Sequence, residues 1–263
     1  MVKKLVLFDK IHNIKSVRTK NEMFSRYLKY INEFSEDFKK TRVNIKKLRG
    51  FDNRYAIEVH GPEEVFLSNI LKKEIGSIME FKDLKVGMEF KGTMVDVGKV
   101  GFGIFVDCAI LNPKCDVLLN LVTLREQLCN GKELSVREII KEYDFIENFP
   151  VYLKIIKIDP EANKIQGELS KKTLDIFRKI VSENIEGIVA SGTTKNQFKK
   201  ALLNSGHLRD IILMERYTFL EHLVLLKEKT DAPGIIARIG KDLRGCKFSV
   251  LQPRKLQDLL KEF

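Results

Sequence analysis

The residues best suited to contact a ligand are two phenylalanines set among glycines, in the run Gly101-Phe102-Gly103-Ile104-Phe105-Val106. Aromatic side chains beside small residues suit a surface on which flat nucleobases stack. Packing inside a sheet is the alternative, because phenylalanine is also an ordinary strand residue. Residues 102 and 105 have opposite parity, so a regular strand would point them to opposite faces. A bulge at the flanking glycines would bring both onto one surface, and we expect Phe105 to be at least partly exposed.

Residues that could catalyse a reaction or hold a metal show no recognisable spacing. The four cysteines contain no C-x-x-C pair, and the four histidines have no metal-ligand spacing. A Ser/His/Asp or Cys/His arrangement cannot be placed either. We therefore expect no catalytic residue, no metal and no cofactor. Free thiols fit a reducing compartment, and we expect a cytoplasmic protein without a membrane segment.

The phenylalanines lie in a stretch that predicts a β-hairpin, residues 86–107. Residues 151–159 and 165–170 predict two further strands. Between them and the hairpin, Ser135 followed by Glu138 forms a capping-box pattern, which predicts a helix over about 134–143.

This order of elements resembles the RNA-binding OB-fold domain named after bacterial ribosomal protein S-one. Val86-Gly87 with Gly92, and the run 102–106, match the family's opening strands, and residues 118–123 occupy its Gly-Leu-x-His-x-Ser-like segment. Asn120 stands where the family has histidine, and Thr123 where it has serine. The resemblance implies a five-stranded barrel over residues 81–170, interrupted by the helical insertion.

The same resemblance implies an RNA surface. Phe102 and Phe105 would stack on bases, Asn120 would occupy the histidine position, and Lys91, Lys99 and Arg125 would contact phosphates. The whole chain also resembles a group of archaeal conserved proteins of unknown function. That likeness implies a cytoplasmic archaeal protein linked to ribosomes or RNA processing, and it implies no reaction.

The two flanks of the barrel, residues 1–80 and 171–263, each show strands and helices in the order of a ferredoxin-like domain. In the first flank, residues 21–40 predict one helix. A second helix begins after Pro62 and is expected to bury Val65, Phe66, Ile70 and Leu71. The sequence thus predicts an α+β multidomain protein, a central OB-fold barrel flanked by two ferredoxin-like α+β domains.

The positive charge of the chain is concentrated in the flanks. Residues 1–80 carry a net +6, residues 81–170 a net −2 and residues 171–263 a net +7 of the total +11. Attraction to phosphate would therefore come mainly from the flanks. The candidate contacts are Arg42 and Lys46 on a basic strand, and Lys195 and Lys199 where a helix begins. Lysines guarding a sheet edge explain the first pair equally well, and capping by Thr193 or Thr194 is favoured over a phosphate site at the second.

We predict a non-catalytic protein that binds single-stranded or structured RNA. The type of RNA (rRNA, tRNA or mRNA) stays open, as does association with the ribosome or other proteins. A ligand-sensing regulator is one alternative, because residues 230–234, Thr-Asp-Ala-Pro-Gly, resemble the helix start of amino-acid-sensing ACT domains. Helix capping by Asp231 is the simpler explanation of that turn. The other alternative is a protein-interaction adaptor whose barrel has lost RNA contact.

Overall fold

The computed structural model describes residues 2–12, 14 and 16–260, and the chain divides into two compact units. The first unit is Met1–Ile78 together with Thr218–Leu220. Its elements are β1 (Val2–Lys10), α1 (Val17–Glu33), β2 (Arg42–Leu48), β3 (Arg54–His60) and α2 (Glu64–Glu74). The strands form an antiparallel sheet in the order β1-β3-β2. On the other edge of β1, Leu7 forms an isolated antiparallel bridge with Ser77.

The core of this unit is aromatic and includes a segment from far along the chain. The ring of Phe219 stacks on Tyr30 at 5.5 Å between centroids and meets Tyr27 edge-on at 4.9 Å. One carboxylate, that of Asp9, accepts the backbone N–H of Phe219 at 3.1 Å and the hydroxyl of Tyr27 at 3.2 Å. Asp9 is fully buried, and these hydrogen bonds satisfy a group that would otherwise be costly to bury.

Two predictions about the helices of this unit are wrong in detail. The first helix begins four residues earlier than predicted, because Ser16 caps it by accepting the N–H of Thr19. It also ends earlier, at Glu33. In α2, Val65 and Phe66 are 58% and 63% exposed instead of buried. Only Leu67 and Leu71 are buried hydrophobics there, because residues four apart share one helix face.

The second unit contains a closed five-stranded barrel. Its strands are β5 (Glu89–Val95), β6 (Gly103–Leu111), β7 (Cys115–Asn120), β8 (Pro150–Asp159) and β9 (Lys164–Leu169). Antiparallel pairs β5–β6, β6–β7, β8–β9 and β5–β8, with the parallel pair β7–β9, close the ring. A two-residue strand, β4 (Met79–Glu80), adds parallel to β6. This confirms the predicted five-stranded OB-type barrel.

Two helices interrupt the barrel between β7 and β8, namely α3 (Leu121–Leu128) and α4 (Val136–Glu142). The capping box predicted for α4 is present: Ser135 accepts the N–H of Glu138, whose carboxylate accepts the N–H of Ser135 at 2.7 Å. The sequence prediction did not include α3.

The rest of the second unit is a four-stranded antiparallel sheet with helices. After α5 (Lys171–Ser182) come β10 (Gly187–Ser191), α6 (Lys195–Asn204), β11 (Ile211–Arg216), β12 (Glu221–Leu226), α7 (Ala232–Ile239), β13 (Lys247–Leu251) and α8 (Pro253–Gln257). The strand order is β11-β12-β10-β13. Every residue of β10 and β12 is buried. Alternate residues of these strands belong to different hydrophobic clusters, so this sheet is covered on both faces.

Gly103 allows β6 and β7 to approach closely. A Cβ atom at this position would lie 2.3 Å from the carbonyl oxygen of Leu119, a backbone atom that cannot move aside. Gly101, two residues earlier, has no atom within 4 Å of the same position, and neither glycine requires a positive φ.

We expect Gly103→Ala to lower the free energy of unfolding by about 1–3 kcal/mol, because the added methyl group must separate two paired strands. Gly101→Ala is the matched control, and it should change stability by less than about 0.5 kcal/mol. Urea unfolding of both variants measures the difference. Equal stability of the two variants would contradict the close approach.

Candidate nucleic-acid interface

Phe102 and Phe105 lie on one surface of the barrel. Phe102 immediately precedes β6 and is 55% exposed. Its ring meets that of Phe105 edge-on, with 5.9 Å between centroids and 88° between planes. Phe102 lies in a bend outside the regular strand, so strand parity does not separate the two side chains. The expectation that Phe105 is partly exposed is confirmed.

Strand register extends this aromatic pair into a band. Phe105 is paired with Val95 on β5 and with Leu118 on β7. All three are partly exposed, whereas their chain neighbours Ile104, Met94 and Leu119 are buried in the core. Alternation therefore places Val95, Phe105 and Leu118 side by side on the outside of the barrel. We call these residues with Phe102 the Phe102 face. Val95 and Leu118 were not among the predicted site residues, although the period-2 alternation of their own strands could have indicated them.

The turn that leads to Phe102 is held by acidic groups. The carboxylate of Glu147 accepts the backbone N–H groups of Asp96 and Val97, both at 3.3 Å. Lys99 is exposed and forms an ion pair with Asp96 at 2.6 Å, which raises the pKa of Lys99. A phosphate that contacts Lys99 would have to share this ammonium group with Asp96.

Asn120 has a structural role at the end of β7. Its side-chain oxygen accepts the N–H of Thr123 at 2.9 Å and so caps α3. It is paired with Gly103, and the next residue, Leu121, donates its N–H to the carbonyl of Phe102 at 2.9 Å. Asn120 therefore lies at the border of the Phe102 face, with its side chain already engaged.

Of the other two barrel residues predicted to contact phosphate, Lys91 lies at a distance from Val95 and Arg125 is hydrogen-bonded within the protein. Lys91 lies on β5 with the parity of Val95, four residues away, or about 13 Å along the strand. The guanidinium of Arg125 donates from Nε to the carbonyl oxygen of Leu134 at 2.7 Å, which fixes the segment before α4.

The four basic contacts predicted in the flanks are not on the barrel. Arg42 and Lys46 are exposed on β2 of the first unit, and Lys46 pairs with Glu58 at 3.1 Å.

Lys195 and Lys199 lie in the first turns of α6, Lys195 half-buried and Lys199 exposed. Thr194 caps this helix by accepting the N–H of Gln197, and Gln197 returns a capping-box contact. The capping explanation, which the sequence favoured, is thus present in the structure. The loop before α6 also contacts a buried histidine of β12, His222. The N–H at His222 Nε2 donates a hydrogen bond to the carbonyl oxygen of Thr193 at 2.9 Å, and burial lowers the pKa of His222 to about 4.

The turn that resembles an ACT helix start is a capped helix in this protein. Asp231 accepts the N–H of Gly234 at 2.9 Å, and Pro233 lies in the first turn of α7. Glu186 accepts the N–H of Ala232 at 2.7 Å. A polar hollow of ≈ 520 Å³ lies beside this turn, lined in part by Lys229, Asp231 and Arg254.

Within the described part of the chain, no three His, Cys, Asp or Glu side chains are grouped as a metal site would require. Among the same residues, no helix has the length and apolar character needed to cross a membrane.

We expect Asn120→Ala to cost about 1 kcal/mol of stability, because the first turn of α3 loses its cap. Asn120→Asp keeps an acceptor at the same position and should retain the wild-type stability. Chemical denaturation compares the two variants. If both are equally destabilised, the capping role of Asn120 is wrong.

We expect stability to fall with acidification through His222. Its folded-state pKa of about 4 lies below the ordinary 6.5, so its contribution to stability is present above pH 6.5 and is lost as the pH falls towards 4. Between pH 7 and 4.5 the wild type should lose about 2 kcal/mol more than His222→Gln. Unfolding of both proteins at each pH measures this difference, and parallel losses would show that His222 is not the titrating group.

Comparisons with solved structures found similarity over parts of this chain at low sequence identity. An uncharacterized protein from Methanocaldococcus jannaschii is 17% identical, over 34% of this chain and 96% of its own, with a TM-score of 0.24. GSP13 from Bacillus subtilis is 17% identical, over 33% and 56%, with a TM-score of 0.24. A chain of the a/eIF2alpha–aDim2p–rRNA complex from Pyrococcus horikoshii is 14% identical, over 47% and 64%, with a TM-score of 0.26. No curated protein matches the sequence.

Two models of one sequence family match consecutive parts of this chain. Residues 84–181 match the DUF2110 central domain, which includes the whole barrel and α5. Residues 186–251 match the DUF2110 C-terminal domain, which runs from just before β10 to the end of β13. Much of the second unit is thus similar, in chain order, to the central and C-terminal domains of the DUF2110 family.

Proposed function

We propose that this protein is a non-catalytic RNA-binding protein, and that bases of the RNA stack on Phe102 and Phe105. The observation that carries the proposal is the exposed edge-to-face pair of rings at the start of β6. A ring that is 55% exposed leaves apolar area in water that a base can cover. In OB-fold barrels the face of the second and third strands is where oligonucleotides bind, and β6 and β7 are those strands here.

The shape and chemistry of the Phe102 face fit single-stranded RNA better than a duplex. Val95, Phe105 and Leu118 form a strip one side chain wide across three strands, and the ring of Phe102 packs edge-on against Phe105, its middle residue. Stacking needs bases with a free π-face, which paired bases in a helix do not offer. Stacking is worth about 1–3 kcal/mol per base, so two rings can supply a large part of a moderate affinity.

The phosphate contacts of the barrel are the weaker part of the interaction. Lys99 and Arg125 already bind Asp96 and Leu134, and the barrel sequence is net negative. The flanks carry all of the excess positive charge. We therefore propose that the barrel holds bases and that basic flank residues, including Arg42, Lys46, Lys195 and Lys199, contribute phosphate attraction.

We also infer that the barrel is S-one-like and that both flanks are ferredoxin-like. The strand order β11-β12-β10-β13, with α6 and α7 in the connections, supports this for the C-terminal flank. The order β1-β3-β2, with the Leu7–Ser77 bridge in place of a fourth strand, supports it for the N-terminal flank. Three domains at 1–80, 81–170 and 171–263 remain our proposal for the organisation of the chain.

We expect Phe102→Ala to weaken binding of a labelled single-stranded RNA by about 1–3 kcal/mol, with little loss of stability, because the ring is mostly exposed. Phe105→Ala should weaken binding similarly, at some cost in stability because this ring is half-buried. Phe66→Ala is the matched control, since Phe66 is an equally exposed aromatic on α2 of the other unit. Its affinity should equal that of the wild type.

Binding isotherms at low and moderate salt, with thermal unfolding of each variant, test the proposal. Unchanged affinity of both barrel variants would remove the Phe102 face as the RNA site. Failure of the wild type to bind RNA at low salt would remove the function itself. In that case the polar hollow beside Asp231 would favour the ligand-sensing alternative. A thermal-shift assay with amino acids as ligands would test that alternative.

A further inference from the structure

The open face of the N-terminal sheet carries a groove of ≈ 690 Å³, whose lining also includes Lys72 from the last turn of α2. Leu5, Leu7, Ile57 and Val59 point from the sheet into the core of the unit. Because side chains alternate along a strand, the residues between them point the other way. Strand register brings Lys4 opposite Glu58, and Lys47 opposite Ala56, on this second face.

The charge of the groove is strongly unbalanced. The residues that line it include four lysines, Lys4, Lys46, Lys47 and Lys72, and one acidic residue, Glu58. The carboxylate of Glu58 lies 3.1 Å from the ammonium of Lys46 and 4.0 Å from that of Lys4. The hydrogen bond from Lys46 is the largest cause of the lowered pKa of Glu58, so this group stays ionised at neutral pH.

Lys47 and Lys72 are the two cations that Glu58 does not approach. Both are exposed, and neither forms an ion pair with any residue that the structure describes. After Glu58 is counted, the four lysines leave three positive charges unbalanced in one groove. An anionic ligand would therefore meet complementary charge along the whole groove.

We infer that this lysine groove binds the phosphate backbone of the RNA, as a second contact surface that rests on the proposed function. The described residues lining the groove include no aromatic side chain, so a base or nucleoside has no ring to stack on there. Lysine is a point charge that accepts phosphate in many orientations, which suits a backbone held without regard to sequence. The Phe102 face has the opposite composition, with apolar side chains for bases, and Lys99, three residues before Phe102, is paired to Asp96.

The groove makes a quantitative prediction about salt. For single strands, each phosphate contact contributes about 0.7 to the slope of log K against log salt. Lys47→Gln/Lys72→Gln should make the slope shallower by about 1.4 and weaken binding about 25-fold at 0.1 M salt. Lys20→Gln/Lys29→Gln removes the same charge from exposed positions of α1, the helix that packs on the other face of the sheet. This control should change affinity by no more than about threefold, since α1 lies on the other face of the sheet and salt screens exposed charges that do not contact the RNA.

Glu58→Gln tests the groove in the opposite direction. The substitution removes the one carboxylate and releases Lys4 and Lys46, so RNA should bind several-fold more tightly, with a steeper salt slope. A labelled mixed-sequence single-stranded RNA is titrated with full-length wild type and each variant at several salt concentrations, and thermal unfolding confirms that each variant is folded.

The outcomes separate the groove from the function on which it rests. If the wild type binds RNA and Phe102→Ala weakens binding, but Lys47→Gln/Lys72→Gln leaves it unchanged, the groove inference alone is overturned. Equal losses from both lysine pairs would show a general effect of net charge, which also overturns it. If the wild type binds no RNA at low salt, the proposed function falls, and the groove inference falls with it.

Discussion

The close contact between β6 and β7 at Gly103 is the constraint on which the candidate interface depends. With no side chain at residue 103, the backbone of β6 lies directly against the Leu119 carbonyl, and Gly103 is paired with Asn120. That pairing fixes the hydrogen bond from the N–H of Leu121 to the carbonyl of Phe102, and therefore the position from which the Phe102 ring projects into solvent. The same registration puts Leu118 beside Phe105. The exposed aromatic pair is thus set by a contact between backbones, and not by the aromatic residues alone.

The two sheets outside the barrel differ in whether one or both of their faces are covered by other elements. In the second unit β10 and β12 are buried along their whole length, with hydrophobic clusters on both faces. In the first unit Lys4, Lys46 and Lys47 occupy the face away from the helices, and the face is open. A sheet covered on both sides stabilises the fold and exposes little. A sheet with one uncovered face can carry charge at little cost, because its lysines remain in water.

Much of the fold was predictable because its signals are local. The capping box at Ser135, the cap at Asp231 and the alternation along the barrel strands all correspond to observed elements. The failures concern long-range packing. Val65 and Phe66 are hydrophobic and helical, yet which side of α2 meets the sheet depends on tertiary contacts. The engagement of Asn120 and Arg125 was likewise invisible, because each binds a backbone atom whose position depends on the inserted helices. For the candidate site, the sequence identified the two phenylalanines but not Val95 and Leu118, the cross-strand neighbours of Phe105.

The aromatic core of the first unit has a consequence for how the chain is made. Phe219 completes that core, yet roughly 140 residues separate it from Ile78, where the rest of the unit ends. At about 5–20 residues per second, the ribosome needs roughly 7–30 s to synthesise that interval. Throughout this time the nascent first unit has Tyr27, Tyr30 and the Asp9 carboxylate without the segment that covers and pairs with them. Its final folding step must therefore follow the synthesis of residues 79–217, although residues 1–78 emerge from the ribosome first.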